Sequence, residues 1–121
     1  MNNRIDEAVA AHLSADDLEA LRENLREQRA FRLEQLARFA RSSRDDRAIR
    51  RRSASQLEVQ VQLSASARMV LADVEAALER MDRGGYGMCH LCARPVPLDR
   101  LTVVPQARHC GRCRQMREAE R

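Results

Sequence analysis

Four cysteines carry the most specific chemistry in this chain. Cys89 and Cys92 form one Cys-x2-Cys knuckle, and Cys110 and Cys113 form a second, with 17 residues between the two. Each knuckle presents two thiolates from one tight turn, and two such turns complete a tetrahedral four-sulfur site of the kind that holds zinc. Four protein ligands leave no open coordination position, so one structural rather than catalytic Zn²⁺ per chain is expected. Its binding free energy would largely be folding energy for a segment with few core residues of its own. His90 and His109 each neighbour a cysteine, but four thiolates already suffice. His12 reads as a surface residue or one at the junction before the first helix. No Ser–His–acid arrangement, open metal site or phosphate loop is visible, so an enzyme is not expected.

The second feature is the stretch Arg41–Arg52, in which six of twelve residues are arginine and Asp45 and Asp46 stand in the middle. All 22 basic residues are arginine, and they are unevenly spread. Residues 1–40 carry 6 arginines against 8 acids and residues 57–83 carry 3 against 5, whereas 41–56 carry 6 against 2 and 84–121 carry 7 against 3. The basic regions are therefore the arginine stretch and the cysteine-bearing tail. For Arg50 and Arg51 a solvated helix face and a partner contact remain equal alternatives. Asp46 reads equally as a helix N-cap or as a functional carboxylate.

The elements that must position these groups are helical. The chain has two Phe, one Tyr and no Trp, and neither Gly nor Pro precedes Gly84. A core of large aromatics is excluded, and long helices packed through Leu, Val and Ala are the natural alternative. Ser14 with Asp17 forms a capping-box start, and Leu18, Leu21, Leu25, Leu33, Leu36 and Phe39 or Ala40 recur near a 3.6 period, giving a first helix over 14–40. A second helix is expected over 47–83, with Ile49, Leu57, Val61, Leu71, Val74, Leu78 and Met81 on one face. The window Leu57–Leu63 alternates like a strand, but helical spacing continues through it. Val59, Leu63 and Val70 lie at the edge of the stripe and imply a wider buried face or a contact with residues 1–13.

Two helices joined by a short polar connection fold back as an antiparallel pair. At 1.5 Å per residue the first would be about 40 Å long and the second about 54 Å, the excess carrying the chain into the cysteine module. Gly84 and Gly85 end the second helix. The proline-rich middle, Arg94–Pro105, suits a short two-stranded excursion between the knuckles. The expected organisation is an N-terminal segment over 1–13, a coiled-coil hairpin over 14–83 with its tip near 42–48, and a four-cysteine zinc finger over 84–121 ending in a short helix. The fold class is mainly α. No run reaches the roughly 20 apolar residues of a membrane span, and no signal-peptide block is present, so a cytoplasmic monomer without membrane attachment is expected.

Tyr86-Gly87-x-Cys89-x-x-Cys92, Pro95, Arg100-Leu101, Pro105 and Cys110-x-x-Cys113-Arg114-Gln115 together resemble the zinc-finger signature of the DksA/TraR family of bacterial transcription regulators. The likeness covers about thirty residues with specific motifs, and the preceding hairpin extends it less specifically to most of the chain. Ala93 departs from the glycine usual after the second cysteine. The resemblance implies a regulator that binds RNA polymerase rather than DNA, with the coiled coil entering the secondary channel. Its tip would act near the catalytic centre through an Asp-x-x-Asp-x-Ala motif, and guanosine tetraphosphate would join in some members. Here the tip reads Ser43-x-x-Asp46-x-Ala48, with Asp45 out of register. Arg100 and Arg114, with Arg50 and Arg51, are the positions for nucleotide or polymerase contacts, while Val104 and Asp73 stand where basic residues would contribute. The alternative is a direct nucleic-acid-binding module using 41–52 and 94–117. Direct DNA binding is disfavoured, because the tail has almost no aromatic side chains for stacking. A thiolate site that senses oxidation and releases its metal would be compatible with the polymerase-binding reading.

Overall fold

The computed structural model describes residues 12–120; most of the N-terminal segment, and with it the contact expected from residues 1–13, lies outside them. Helix α1 spans Ala15–Arg44. It starts at the capping box: Ser14 Oγ accepts the Asp17 N–H at 2.9 Å, and the Asp17 carboxylate accepts the Ser14 N–H at 2.9 Å. The helix runs four residues past the expected end at residue 40. In its last turn Ser43 Oγ donates to the Phe39 carbonyl (2.9 Å) and Arg44 Nε donates to the Ala40 carbonyl (3.2 Å), additional local bonds that tie these side chains back onto the helix.

The single helix expected over 47–83 is two helices, α2 over Asp46–Arg51 and α3 over Ala54–Arg83. Arg52 is extended (φ −98°, ψ 140°), and Ser53 caps α3 in a second capping box with Gln56. The break has an electrostatic reason. In one continuous helix, Arg50, Arg51 and Arg52 would sit in the first two turns, where the positive end of the macrodipole opposes them. In the broken form Arg50 and Arg51 occupy the last turn of α2, where positive charge is favourable. Asp45, rather than Asp46, is the N-cap of α2: its carboxylate accepts the N–H groups of Arg47 (3.0 Å) and Ala48 (3.4 Å). Asp46 is the first helical residue.

Leu57–Leu63 is helical, as its wider context requires. At the other end Gly84 takes the left-handed conformation (φ 81°), and the Gly85 N–H reaches back to the Arg80 carbonyl at 2.8 Å. α1 and α3 each have 30 residues, about 45 Å at 1.5 Å per residue, so the second long helix has no excess over the first. They run antiparallel, with register marked by the ion pairs Arg22–Asp82 (2.9 Å) and Arg29–Glu75 (3.3 Å).

The core is concentrated at the hairpin's base. Leu21, Leu25, Val74 and Ala77 from the two helices meet Leu13, Tyr86, Cys89, Val96 and Leu101 in one apolar cluster. Toward the tip the seam becomes half-buried and mixed: Gln28, Arg32, Gln35, Ser42 and Gln60 alternate with Leu36, Phe39, Ile49 and Leu57, beside the buried but small Ser64 and Ala67. Val61 does not share the packed face: it is 68% exposed. Val59 and Leu63 are also exposed, so the buried face of α3 is narrower than its apolar pattern implies.

The two-stranded excursion expected between the knuckles is reduced to one antiparallel bridge, Met88 with Pro95, followed by α4 over Leu98–Val103. Prolines at 95 and 97 lack the donors a ladder needs, so pairing stops there. Val104, Pro105 and Gln106 then lead to α5, Gly111–Ala119. Gly87 (φ 93°) is required twice over, by its backbone and by space. A Cβ there would lie 3.0 Å from Leu13 Cδ1.

Candidate metal centre

The knuckles are shaped by backbone bonds. In the first, the Ala93 N–H bonds the Cys89 carbonyl at 2.9 Å and the Cys89 N–H bonds the Arg94 carbonyl at 2.8 Å. Ala93 itself lies at φ 59°, among the described residues the one non-glycine in the left-handed region. In the second, Cys110 is the N-cap of α5 and Cys113 lies in its first turn, with the Arg114 N–H on the Cys110 carbonyl at 3.0 Å. The His90 N–H on the Arg108 carbonyl (2.9 Å) ties the two knuckles together.

The result is a group of four sulfurs, all within 4.8 Å of one another, with Cys92 Sγ and Cys110 Sγ 3.8 Å apart. A tetrahedral ion with metal–sulfur bonds of about 2.3 Å needs sulfur–sulfur separations of about 3.8 Å, so the cluster is close to the size such an ion requires. Cys89 is buried, Cys110 and Cys113 are half-buried, and Cys92 is exposed. Without a metal the thiols share protons unequally. Burial pushes the Cys89 thiol up, but the N–H groups of Cys110, Cys92 and Leu91 and the Cys92 thiol outweigh it and bring it down to about 6. Cys110 is lowered chiefly by the Cys113 N–H, and Cys113 is pushed up to about 12, first by its bond with the Cys110 thiol. N–H groups aimed at sulfur are the charge environment that a thiolate–metal centre uses.

His90 and His109 flank this group without joining it. Their rings meet edge to face at 6.3 Å, and both are lowered by burial and by neighbouring arginines. His12 is a junction residue: its Nε2 lies 2.9 Å from the Val96 carbonyl, pinning the start of α1 to the finger. Tyr86, almost wholly buried, donates to the Pro105 carbonyl at 2.8 Å and links the start of the finger to its middle.

Arg100 and Arg114 come together around a shallow depression of about 390 Å³ with Asp73, Val104 and His109. Each has a bond of its own: Arg100 Nε donates to the His109 carbonyl (2.9 Å), and Arg114 pairs with Glu118 (3.0 Å). Arg108, which sequence reasoning passed over, pairs with Asp73 at 3.0 Å across 35 residues of chain, and no local pattern announces that contact. Arg50 and Arg51 are elsewhere, exposed on α2 at the hairpin's far end with Ser43, Asp45, Asp46 and half-buried Ala48. Asp45 is committed to capping, whereas Asp46 has no hydrogen bond or ion pair among the described residues.

A long antiparallel helical hairpin locked at its base to a four-cysteine finger defines the class: fold and cysteine arrangement are those of a DksA-like zinc-finger protein. The solved structure of transcription factor DksA2 from Pseudomonas aeruginosa is similar over 92% of this chain and 90% of that one, with a TM-score of 0.70 and 25% sequence identity. An uncharacterized protein of Aquifex aeolicus (strain VF5) is 36% identical over 50 residues, 41% of this chain, and the match spans 34% of that relative's length. No protein-family model matches the chain. Among the described residues no helix is long and apolar enough to cross a membrane.

Proposed function

We propose that this protein binds bacterial RNA polymerase through the secondary channel and modulates transcription initiation, with one structural zinc ion held by Cys89, Cys92, Cys110 and Cys113. The observation that carries this reading is the hairpin: two 30-residue helices in register, closed by a separately capped tip and anchored in the finger's core. A probe about 45 Å long keeps its tip far from its base, which is what reaching down a channel requires. The likeness to the transcription factor DksA2 supports the same reading.

In this reading Asp46 is the working carboxylate. It stands on the first turn of α2, unpartnered, while its neighbour Asp45 does the capping. Arg100 and Arg114 would contact polymerase or guanosine tetraphosphate, and the Asp73–Arg108 pair beside them lowers the positive charge available to that nucleotide. Arg50 and Arg51 would meet phosphate-bearing or acidic surfaces at the tip.

The test is in vitro transcription with the cognate polymerase, with and without the nucleotide, comparing wild type with Asp46→Asn. Asn keeps the side-chain shape and loses only a favourable helix-end charge, on the order of 0.5 kcal/mol. Folding should barely change while the effect on transcription is lost. Failure to associate with polymerase at physiological salt would sink the reading. A salt-steep, sequence-independent affinity for duplex DNA would favour the nucleic-acid alternative through the exposed tip arginines.

A further inference from the structure

The outer face of the finger carries a groove that opens beside the four-sulfur group, with Cys92, Cys110 and Cys113 among its lining residues, and that the hairpin does not line. It lies between the first knuckle and α5, with a volume of about 910 Å³, large enough to take several side chains. Its walls hold two large apolar side chains left in solvent, Leu91 (55% exposed) and Met116 (58% exposed), and Pro95 and Pro97 lie between them. Proline and methionine make a stiff floor with an adaptable wall, a combination that accepts varied apolar side chains.

The charge around the groove has one sign. Arg94, Arg112 and Arg117 line it, against one acid, Glu120. Some arginines elsewhere are paired, since Arg22, Arg29, Arg41, Arg83, Arg108 and Arg114 each have a carboxylate within reach, while others, such as the tip arginines Arg47, Arg50 and Arg51, are not paired among the described residues. Among the described residues Arg94, Arg112 and Arg117 have none. A cluster of unpaired guanidinium groups around an apolar floor is complementary to carboxylates flanking apolar anchors.

We propose that this groove docks an acidic segment of a partner protein, inserting apolar side chains between Leu91 and Met116 and setting carboxylates against Arg94, Arg112 and Arg117. The concave shape favours a peptide over a bilayer, which meets convex apolar surfaces. The absence of aromatic residues from the lining disfavours single-stranded nucleic acid, which stacks on them. The inference goes beyond the polymerase reading and is tested without polymerase, so either can fail alone.

The experiment is selection of a random 12-residue peptide display library on the metal-loaded full chain at physiological salt, followed by anisotropy measurements on the recovered peptides. Enriched peptides should combine Asp or Glu with Leu, Ile, Met or Phe. Their affinity should fall at least about tenfold in Met116→Ser and in the double variant Arg112→Glu, Arg117→Glu, and stay unchanged in Arg50→Ala. Tyrosine emission would verify that each variant is folded. The proposal is overturned by basic or neutral enriched peptides, by no enrichment, by indifference to both groove variants, or by displacement of bound peptide by phosphatidylglycerol vesicles that themselves depend on Met116.

Discussion

Ala93 is the residue whose backbone and side chain disagree most. A left-handed conformation costs an L-residue on the order of 1 kcal/mol, and here it is imposed by the turn that aims Cys89 and Cys92 at one point. Ala93→Gly should stabilise the metal-loaded finger by about 0.5–1 kcal/mol, after part of the relief is offset by the greater freedom of glycine in the unfolded chain. Thermal unfolding of the two forms at equal metal concentration would measure it; an unchanged or lower midpoint would show that the turn is not strained. The cysteines were legible because ligand spacing is a local property. The contacts that support them were not. His12 reaches Val96 across 84 residues and Tyr86 reaches Pro105 across 19, and nothing in a histidine or a tyrosine names its distant acceptor.

At the scale of elements, the tip shows how capping overrides periodicity. Ile49 and Leu57 share a face with only Ser53 on it between them, so a single helix is the reading that spacing supports, although the stripe is polar where the chain breaks. Ser53-x-x-Gln56 is a capping box in plain view, but serine and glutamine are also ordinary helix residues, and only the three arginines before it tip the balance toward a break. Ser53→Ala should remove the cap and cost about 1 kcal/mol. If α2 and α3 then merge, far-UV ellipticity at 222 nm rises slightly while the midpoint falls; if the tip frays, both fall. An unchanged midpoint would mean that the cap contributes nothing. The same competition explains Asp45. Two adjacent aspartates can each cap, and the backbone turn selects the one that is extended (φ −92°, ψ 105°).

Across the whole molecule, finger and hairpin share one core, so an ion held by the four cysteines would be thermodynamically linked to the helices. Burial, partly opposed by Arg80, pushes the Tyr86 hydroxyl up to about 12 from an ordinary 10. Because the folded state holds this proton more tightly, its contribution is fully present below pH ~10 and is lost as pH rises through about 12. Chelating the metal should release Tyr86, so that its ultraviolet titration midpoint drops toward 10 and part of the helical signal is lost with Leu13, Val96 and Leu101 no longer packed. A tyrosine still titrating near 12 after chelation would show that the finger stands without its ion.

The mixed seam toward the tip also bears on where the hairpin's stability lies. The contacts nearest in sequence, around the turn, are cheap to close and only half-bury Leu36, Phe39, Ile49 and Leu57. The rewarding contacts join residues near 25 to residues near 74, across a loop whose closure costs more entropy. The fully buried contacts therefore sit at the open end of the hairpin, beside the cysteines, and the half-buried segment farthest from them is the one expected to open first in hydrogen exchange.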